Sequence, residues 1–432
     1  MRDFRQVLAH LQALQKKFER LLASARKKAA RPSVATARPT RLRELTGFGA
    51  NPGDLRMFAY APEHLPPKAP LVIALHGCTQ TIDEYDHGTG WSSLADRLGF
   101  AVVYPQQQPA NNPKNCFSWF LSADIARGHG EAFSIREMVE HAIATFAADR
   151  GKVFVTGLSA GGAMASVMLA TYPEVFAGGA IIAGLPYGCA INVQQAFEAM
   201  FTEQRRAAAA LGDTVRSASR HRGPWPKISV WHGTSDPIVK PSNGEDIVRQ
   251  WTNVHGLSDS PSYQELIGGH TRRIWSNTNG EALIEAFTIR GMAHGVPLAT
   301  TGGESCGAPG SFFLDVGISS THHIARFWRL HESLIEMPRA AAPMSAPIQI
   351  STDGRAFIIA RAAASHNAAE PPLADEERPT SWPLDPNAII AAAFRAAGLP
   401  VPEGPAQLGA TPPVTPGPII AAALKAAGLT QS

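Results

Sequence analysis

Apolar residues in this chain follow two spacings, and the change from one to the other marks its organisation. Between residues 47 and 335, short and nearly continuous apolar runs alternate with helical patterns. The runs are Leu71–Leu75, Phe100–Tyr104 closing on Pro105, Val153–Leu158, Gly178–Ile182 and Ile228–Trp231. Strands buried on both faces, as in a parallel sheet, read in this way. The segments Ser134–Ala148 and Pro241–His255 carry helical periodicity and supply crossovers. The prediction is an α/β fold with a mostly parallel central sheet and helices on both faces.

The flanks are of another kind. Residues 3–28 place Phe4, Val7, Leu8, Leu11, Leu14, Phe18, Leu21 and Leu22 at steps of three and four, which predicts an amphipathic helix with a basic polar face. Such a helix packs on its own body, pairs with another helix, or lies on an anionic apolar surface. Residues 29–46 read as a linker, so 1–46 forms an N-terminal extension to a catalytic domain at 47–335. Residues 336–384 are Pro/Ala-rich, with Asp353-Gly354 between two β-type runs at 348–352 and 355–359, a hairpin signal. Residues 385–432 hold a repeat: the stretch from Pro386 to Leu399 recurs from Pro416 to Leu429. Each copy has an N-cap (Asp385, Thr415), a first-turn proline and a terminal glycine (Gly398, Gly428), which describes a short helix needing a surface to fold on. The C-terminal extension is therefore expected to be helical or disordered. A granule, an anionic surface or a protein is the expected partner of the terminal helices.

Charge sharpens the division. The 432 residues carry a net +3, yet residues 1–43 alone carry +10, leaving a body at −7. An anionic partner is thus expected for the N-terminal arm only, and no nucleic acid for the body. No apolar run reaches membrane-spanning length. The N-terminus lacks the apolar core and cleavage site of a secretory signal, which points to the cytoplasm. The four cysteines, Cys78, Cys116, Cys189 and Cys306, fit no zinc spacing, and no metal or organic cofactor is expected.

Candidate chemistry centres on Gly157-Leu158-Ser159-Ala160-Gly161, between the run from Val153 and a helical pattern from Ala163 to Tyr172. A Gly-x-Ser-x-Gly is weak alone, but a strand, a sharp turn and a helix around it lift a serine hydroxyl to an exposed apex. A serine nucleophile needs a base, and the base needs an orienting acid. Asp236 follows the run ending at Trp231, and His294 follows the run Ala286–Ile289, in the order Ser, Asp, His. Oxyanion donors are expected at the N–H of Ala160 and at Cys78, in the loop His76-Gly77-Cys78-Thr79-Gln80; His76 is read as structural. Trp119 and Trp231 are candidate substrate-cleft residues by nearness to these loops.

Together, His76–Gln80, Asn115–Phe120, Gly157–Gly162, Trp231–Asp236 and Gly291–Gly295 resemble the polyhydroxybutyrate (PHB) depolymerase family of esterases, a group that includes feruloyl and acetylxylan esterase relatives. The resemblance covers about residues 50–330. It implies an α/β-hydrolase without a large cap, a Ser159–Asp236–His294 triad and an acyl-enzyme route. The implied substrate is a short-chain polyhydroxyalkanoate polyester or oligomer, or a small-acid ester of the feruloyl or acetylxylan type. A protein that acts mainly by docking its terminal helices on granules, membranes or a partner is the other class of reading. Family members are often secreted. In an exported chain, motif adjacency pairs Cys78 with Cys116 and Cys189 with Cys306.

Overall fold

The computed structural model describes residues 2–29, 40–203 and 206–330. The hairpin expected at 348–359 and the repeat at 386–399 and 416–429 lie outside those residues. In chain order the strands of the main sheet are β1 (Arg43–Leu45), β2 (Arg56–Tyr60), β3 (Leu71–Leu75), β4 (Ala101–Gln106), β5 (Val153–Leu158), β6 (Gly178–Ile182), β7 (Lys227–Gly233), β8 (Tyr263–Ile267), β9 (His270–Ser276) and β10 (Ala282–Ile289). The helices are α1 (Arg2–Ala29), α2 (Ile82–Thr89), α3 (Trp91–Leu98), α4 (Ser122–Ile125), α5 (Gly130–Phe146), α6 (Ala160–Thr171), α7 (Val193–Phe201), α8 (Ala208–Ser217), α9 (Ser242–His255) and α10 (Ser320–Phe327).

The sheet order is β1-β2-β4-β3-β5-β6-β7-β10-β9-β8. Strands β4, β3, β5, β6, β7 and β10 run parallel, and antiparallel pairs close both edges. This is the α/β-hydrolase arrangement. Every residue of β3, β4, β5 and β6 is buried, as their unbroken apolar runs require. Helices α5, α6 and α9 pack against one face. On the other face, Trp91 of α3, Phe154 of β5 and Trp328 after α10 stack, with Trp328 between the other two rings. Helix α6 is buried on every side, which explains its composition of alanine, glycine, methionine and valine.

Two expectations are corrected, and one element was not foreseen. Strand β4 does not end at Tyr104 but runs through Pro105 to Gln106; its pairing with β3 stops at Val103, so the proline's missing N–H interrupts no bond to that neighbour. Residues 43–45, read as linker, form β1 and pair with Met57–Ala59, so the sheet begins before residue 47. The antiparallel edge β8–β9 was not anticipated. Its residues are mostly half-exposed, so they lack the continuous apolar signature of the central strands.

Candidate active site

All the candidate polar groups stand at the carboxyl ends of parallel strands. Ser159 links β5 to α6 with φ 57° and ψ −116°, a conformation costly for a residue bearing a Cβ. Its N–H is fixed to the Ile182 carbonyl at 2.9 Å. The glycines on either side are sterically required: a Cβ on Gly157 would lie 2.3 Å from the Gly161 oxygen, and one on Gly161 would lie 2.2 Å from the Leu75 oxygen. Strand β3, β5 and α6 thus converge within backbone contact distance around the serine.

Asp236 and His294 come from the loops after β7 and β10, and those loops are knitted together. Thr234 N–H donates to Ile289 O at 3.0 Å, Ser235 N–H to Met292 O at 3.0 Å, and Gly291 N–H to the Thr234 hydroxyl at 2.8 Å. His294 Nδ1 lies 2.7 Å from Asp236 Oδ2, while Asp236 Oδ1 accepts the N–H groups of Ile238 and Val239 at 2.8 and 2.9 Å. Burial by itself raises the Asp236 carboxyl pKa; the facing His294 and His232 outweigh it and hold the group well below the usual carboxylate range. Asp236 is therefore an anion that orients the His294 ring and leaves Nε2 free of that pairing.

Cys78 follows β3, and Ala160 is the first residue of α6, where an N–H has no partner inside the helix. Both line a cavity of 280 Å³ with Ser159. The Cys78 loop is anchored on several sides. Gly77 N–H donates to Gln80 Oε1 at 2.7 Å, Thr79 N–H to Lys114 O at 2.6 Å, and Cys78 is disulfide-bonded to Cys116. His76 is structural, as expected. Its Nδ1 faces Gly77 O at 2.8 Å and its Nε2 accepts Gln107 N–H at 3.1 Å, while burial pushes its pKa down to about 4, so the ring is neutral.

The remaining candidates divide. Trp119 lines the 280 Å³ cavity with Phe120, Leu185, Phe197 and Met200. Trp231 does not: it is fully buried, stacked 3.7 Å from the Phe287 ring on the adjacent strand, with its N–H donated to Ser229 Oγ at 2.8 Å. Its neighbour His232 points the other way, toward Asp236, as alternation along a strand dictates. The second expected disulfide is also corrected. Cys189 and Cys306 are free thiols on separate loops: the Cys189 carbonyl meets Arg206, and the Cys306 sulfur lies 3.2 Å from Ser319 Oγ.

Three contributors had not been singled out. His232 Nε2 lies 3.3 Å from Asp236 Oδ2 and 3.0 Å from Val239 O, bracing the acid's loop. Glu131 is buried beside the Trp119 loop and accepts Ser118 N–H at 2.7 Å and Gln107 Nε2 at 2.6 Å. The third is α1. Its amphipathic pattern was legible, but its place was not: it lies over the site, with Phe18 on the rim of the 280 Å³ cavity and Leu22 beside Ser159 and His294. The resemblance implies no large cap, and the element over the site is this single helix. Among the described residues, no cluster of His, Cys, Asp and Glu is arranged to hold a metal, and no helix is long and apolar enough to cross a membrane.

Residues 58–273 match the family described as Esterase PHB depolymerase. The chain is 46% identical over 298 residues to poly(3-hydroxyalkanoate) depolymerase C of Paucimonas lemoignei, covering 68% of this chain and 72% of that one. It is 35% identical over 269 residues to an acetylxylan esterase of Coprinopsis cinerea, covering 60% and 70%. Among solved structures it is similar to the acetyl xylan esterase from Aspergillus awamori, with a TM-score of 0.55 and 27% identity over 59% of this chain and 94% of that one.

Proposed function

The chain belongs to the Esterase PHB depolymerase family and is a carboxylic ester hydrolase, and on that premise we propose that Ser159, His294 and Asp236 carry the reaction on a short-chain polyhydroxyalkanoate polyester or its oligomers. His294 Nε2 takes the Ser159 proton as Oγ attacks the ester carbonyl. The oxyanion is held by the N–H groups of Cys78 and Ala160. His294 returns the proton to the departing alcohol, leaving an acyl-serine. The same base then activates water, which releases the acid and restores the hydroxyl. Asp236 keeps the ring in the required tautomer and remains an anion throughout.

The observation that carries this reading is the Asp236–His294 pair at 2.7 Å, with His294 and Ser159 lining one small cavity and Ser159 raised on a strained apex. The polyester assignment is supported by the 46% identity to a poly(3-hydroxyalkanoate) depolymerase. The cavity wall of Trp119, Phe120, Leu185, Phe197 and Met200 also suits an aliphatic acyl chain better than a sugar, which asks for polar partners. Ser159→Ala is expected to abolish hydrolysis of a short p-nitrophenyl ester in protein that melts like the parent. More than a few per cent of residual activity sinks the assignment. Profiling across hydroxybutyrate oligomers, acetylated xylan and feruloyl esters tests the substrate class, and a preference for either sugar ester overturns the polyester reading.

A further inference from the structure

Helix α1 covers the catalytic groups instead of standing apart from them. Leu22, 7% exposed, lines a cavity of only 10 Å³ with Ser159, His294 and Phe312, room for about one water molecule. One turn earlier, Gln15, Phe18 and Glu19 wall the 280 Å³ cavity that Ser159 shares with Trp119, and the Phe18 ring meets Phe197 of α7 edge-on at 5.9 Å. On the other side, Leu21, Ser24 and Ala25 border a 510 Å³ hollow that reaches His294. Arg26 donates to the Thr79 carbonyl, on the loop that carries Cys78, at 2.5 Å. An ester carbonyl has to approach Ser159 with one substituent on each side. In this position of the helix Leu22 stands beside Ser159 and His294, so the space on that side of the nucleophile is narrowed to about 10 Å³ while the 280 Å³ cavity remains on the other.

The helix is joined to the body by a few contacts: the Phe18–Phe197 edge, the Lys17 ammonium 4.4 Å over the Phe201 ring, and the Arg26 bond to Thr79. Leu22 is its single buried side chain among those described, and Leu14, Phe18, Leu21 and Ala25 are only partly covered. One buried and four partly covered apolar side chains make this a modest docking. Such a docking leaves the open state a minor but populated species. In water, opening exposes the whole apolar stripe. Against an apolar solid, the same stripe finds a second partner, while Lys16 and Arg20, both exposed in the closed position, stay in solvent.

We propose that α1 is a lid whose apolar stripe alternates between the mouth of the site and the surface of an aliphatic polyester, so that adsorption to polymer uncovers Ser159. This rests on the catalytic reading above for the identity of the nucleophile and of the solid. Closure restricts the soluble reaction. The polymer shifts the equilibrium because its affinity is for the open form alone. The stripe lies outside residues 58–273, the part of the chain that the family model matches.

The test uses the full chain. Wild-type protein is assayed on p-nitrophenyl butyrate across the solubility limit of that ester. The expected result is a rise of at least about fivefold once an ester–water interface forms, the size of effect that a minor open state permits. In parallel, the rate at which paraoxon phosphylates Ser159 is measured in wild type and in Phe18→Gln/Leu22→Gln. The double variant is expected to react at least about fivefold faster, because its stripe no longer docks. Smooth saturation of the wild type through the solubility limit overturns the lid, whatever the state of the variant. An unchanged or slower paraoxon rate in a normally melting double variant does the same. Ser159→Ala separates the two readings: activity surviving there defeats the nucleophile, whereas activity lost there with no interfacial rise defeats the lid alone.

Discussion

His294 Nδ1 and Asp236 Oδ2 are 2.7 Å apart, and both side chains are almost wholly buried. The second carboxylate oxygen is occupied by two backbone N–H groups from its own loop. Asp236 thus has one oxygen committed to its own loop and one to His294. Burial costs the carboxylate its hydration, but the facing histidines restore more than is lost, so it stays charged where a neutral acid would orient nothing.

Asp236→Asn preserves the shape of this arrangement and removes the charge. An amide that turns its NH2 toward His294 favours the wrong tautomer. We expect kcat to fall by about 10³–10⁴-fold with little change in KM, since the Asp236 side chain is wholly buried behind His294. Steady-state kinetics on a short p-nitrophenyl ester check this. A loss below tenfold shows that His294 does not depend on the acid.

The Cys78–Cys116 disulfide closes 38 residues of chain and joins the loop after β3 to the loop bearing Trp119. A loop of that length is worth about 4 kcal/mol by chain entropy alone. Cys78→Ser/Cys116→Ser should lower stability by roughly 2–4 kcal/mol in urea unfolding. It should also lower kcat more than it raises KM, because the Cys78 N–H loses a tether and the acyl wall only loosens. Native stability in the double variant would mean that Thr79–Lys114 and Gly77–Gln80 hold the loop unaided.

Glu131 gives the fold a distinctive pH dependence. Burial, and secondarily the charge of Asp124, push its carboxyl up to about 8, against the opposing bonds from Ser118 and Gln107. The folded pKa lies above the ordinary 4.5, so between those values the folded state holds a proton that the unfolded chain has released. Its contribution to stability is then complete below 4.5 and drains away as pH rises to about 8. Glu131→Gln, neutral at every pH, should show a flatter profile of urea midpoint against pH across this window. Parallel profiles for the two proteins would mean that Glu131 is charged when folded.

What the chain made legible, and what it hid, follows from the range of the interactions involved. Ser159, its glycines and the strands around it are local: the motif and the apolar runs sit within a few residues of each other. The order of Asp236 and His294 is set by topology, which the alternation of strand and helix already implies. Trp231 was misplaced because adjacency in sequence to Asp236 says nothing about the face of β7 on which a side chain falls. Cys189 and Cys306 were paired by proximity to motifs, yet their loops pack against different helices. The edge strands β8 and β9 are half-exposed and lack a burial signal. For α1, amphipathicity declares that a helix must dock but not where. Its target is assembled from α7, the Cys78 loop and Phe312, which meet only in the folded chain.

The loops bearing Asp236 and His294 meet at a tight backbone junction. Gly233 ends β7, and a Cβ there would lie 2.2 Å from the Met292 oxygen and 2.8 Å from the Ala293 oxygen. Both are backbone atoms, so no side-chain rotation relieves the clash. In Gly233→Ala either the end of β7 or the segment 291–294 has to move, and His294 moves relative to Ser159 in either case. A displacement near 1 Å at a reacting group costs about 10²-fold. We therefore expect kcat on a soluble ester to drop by about that factor, with a lower melting temperature and a smaller change in KM. Gly303→Ala, where a Cβ meets nothing within 4 Å, is the control and should behave as wild type. Wild-type kcat in Gly233→Ala would mean that the two loops yield without disturbing His294. The close approach of β7 to the histidine loop would then not be what sets the alignment.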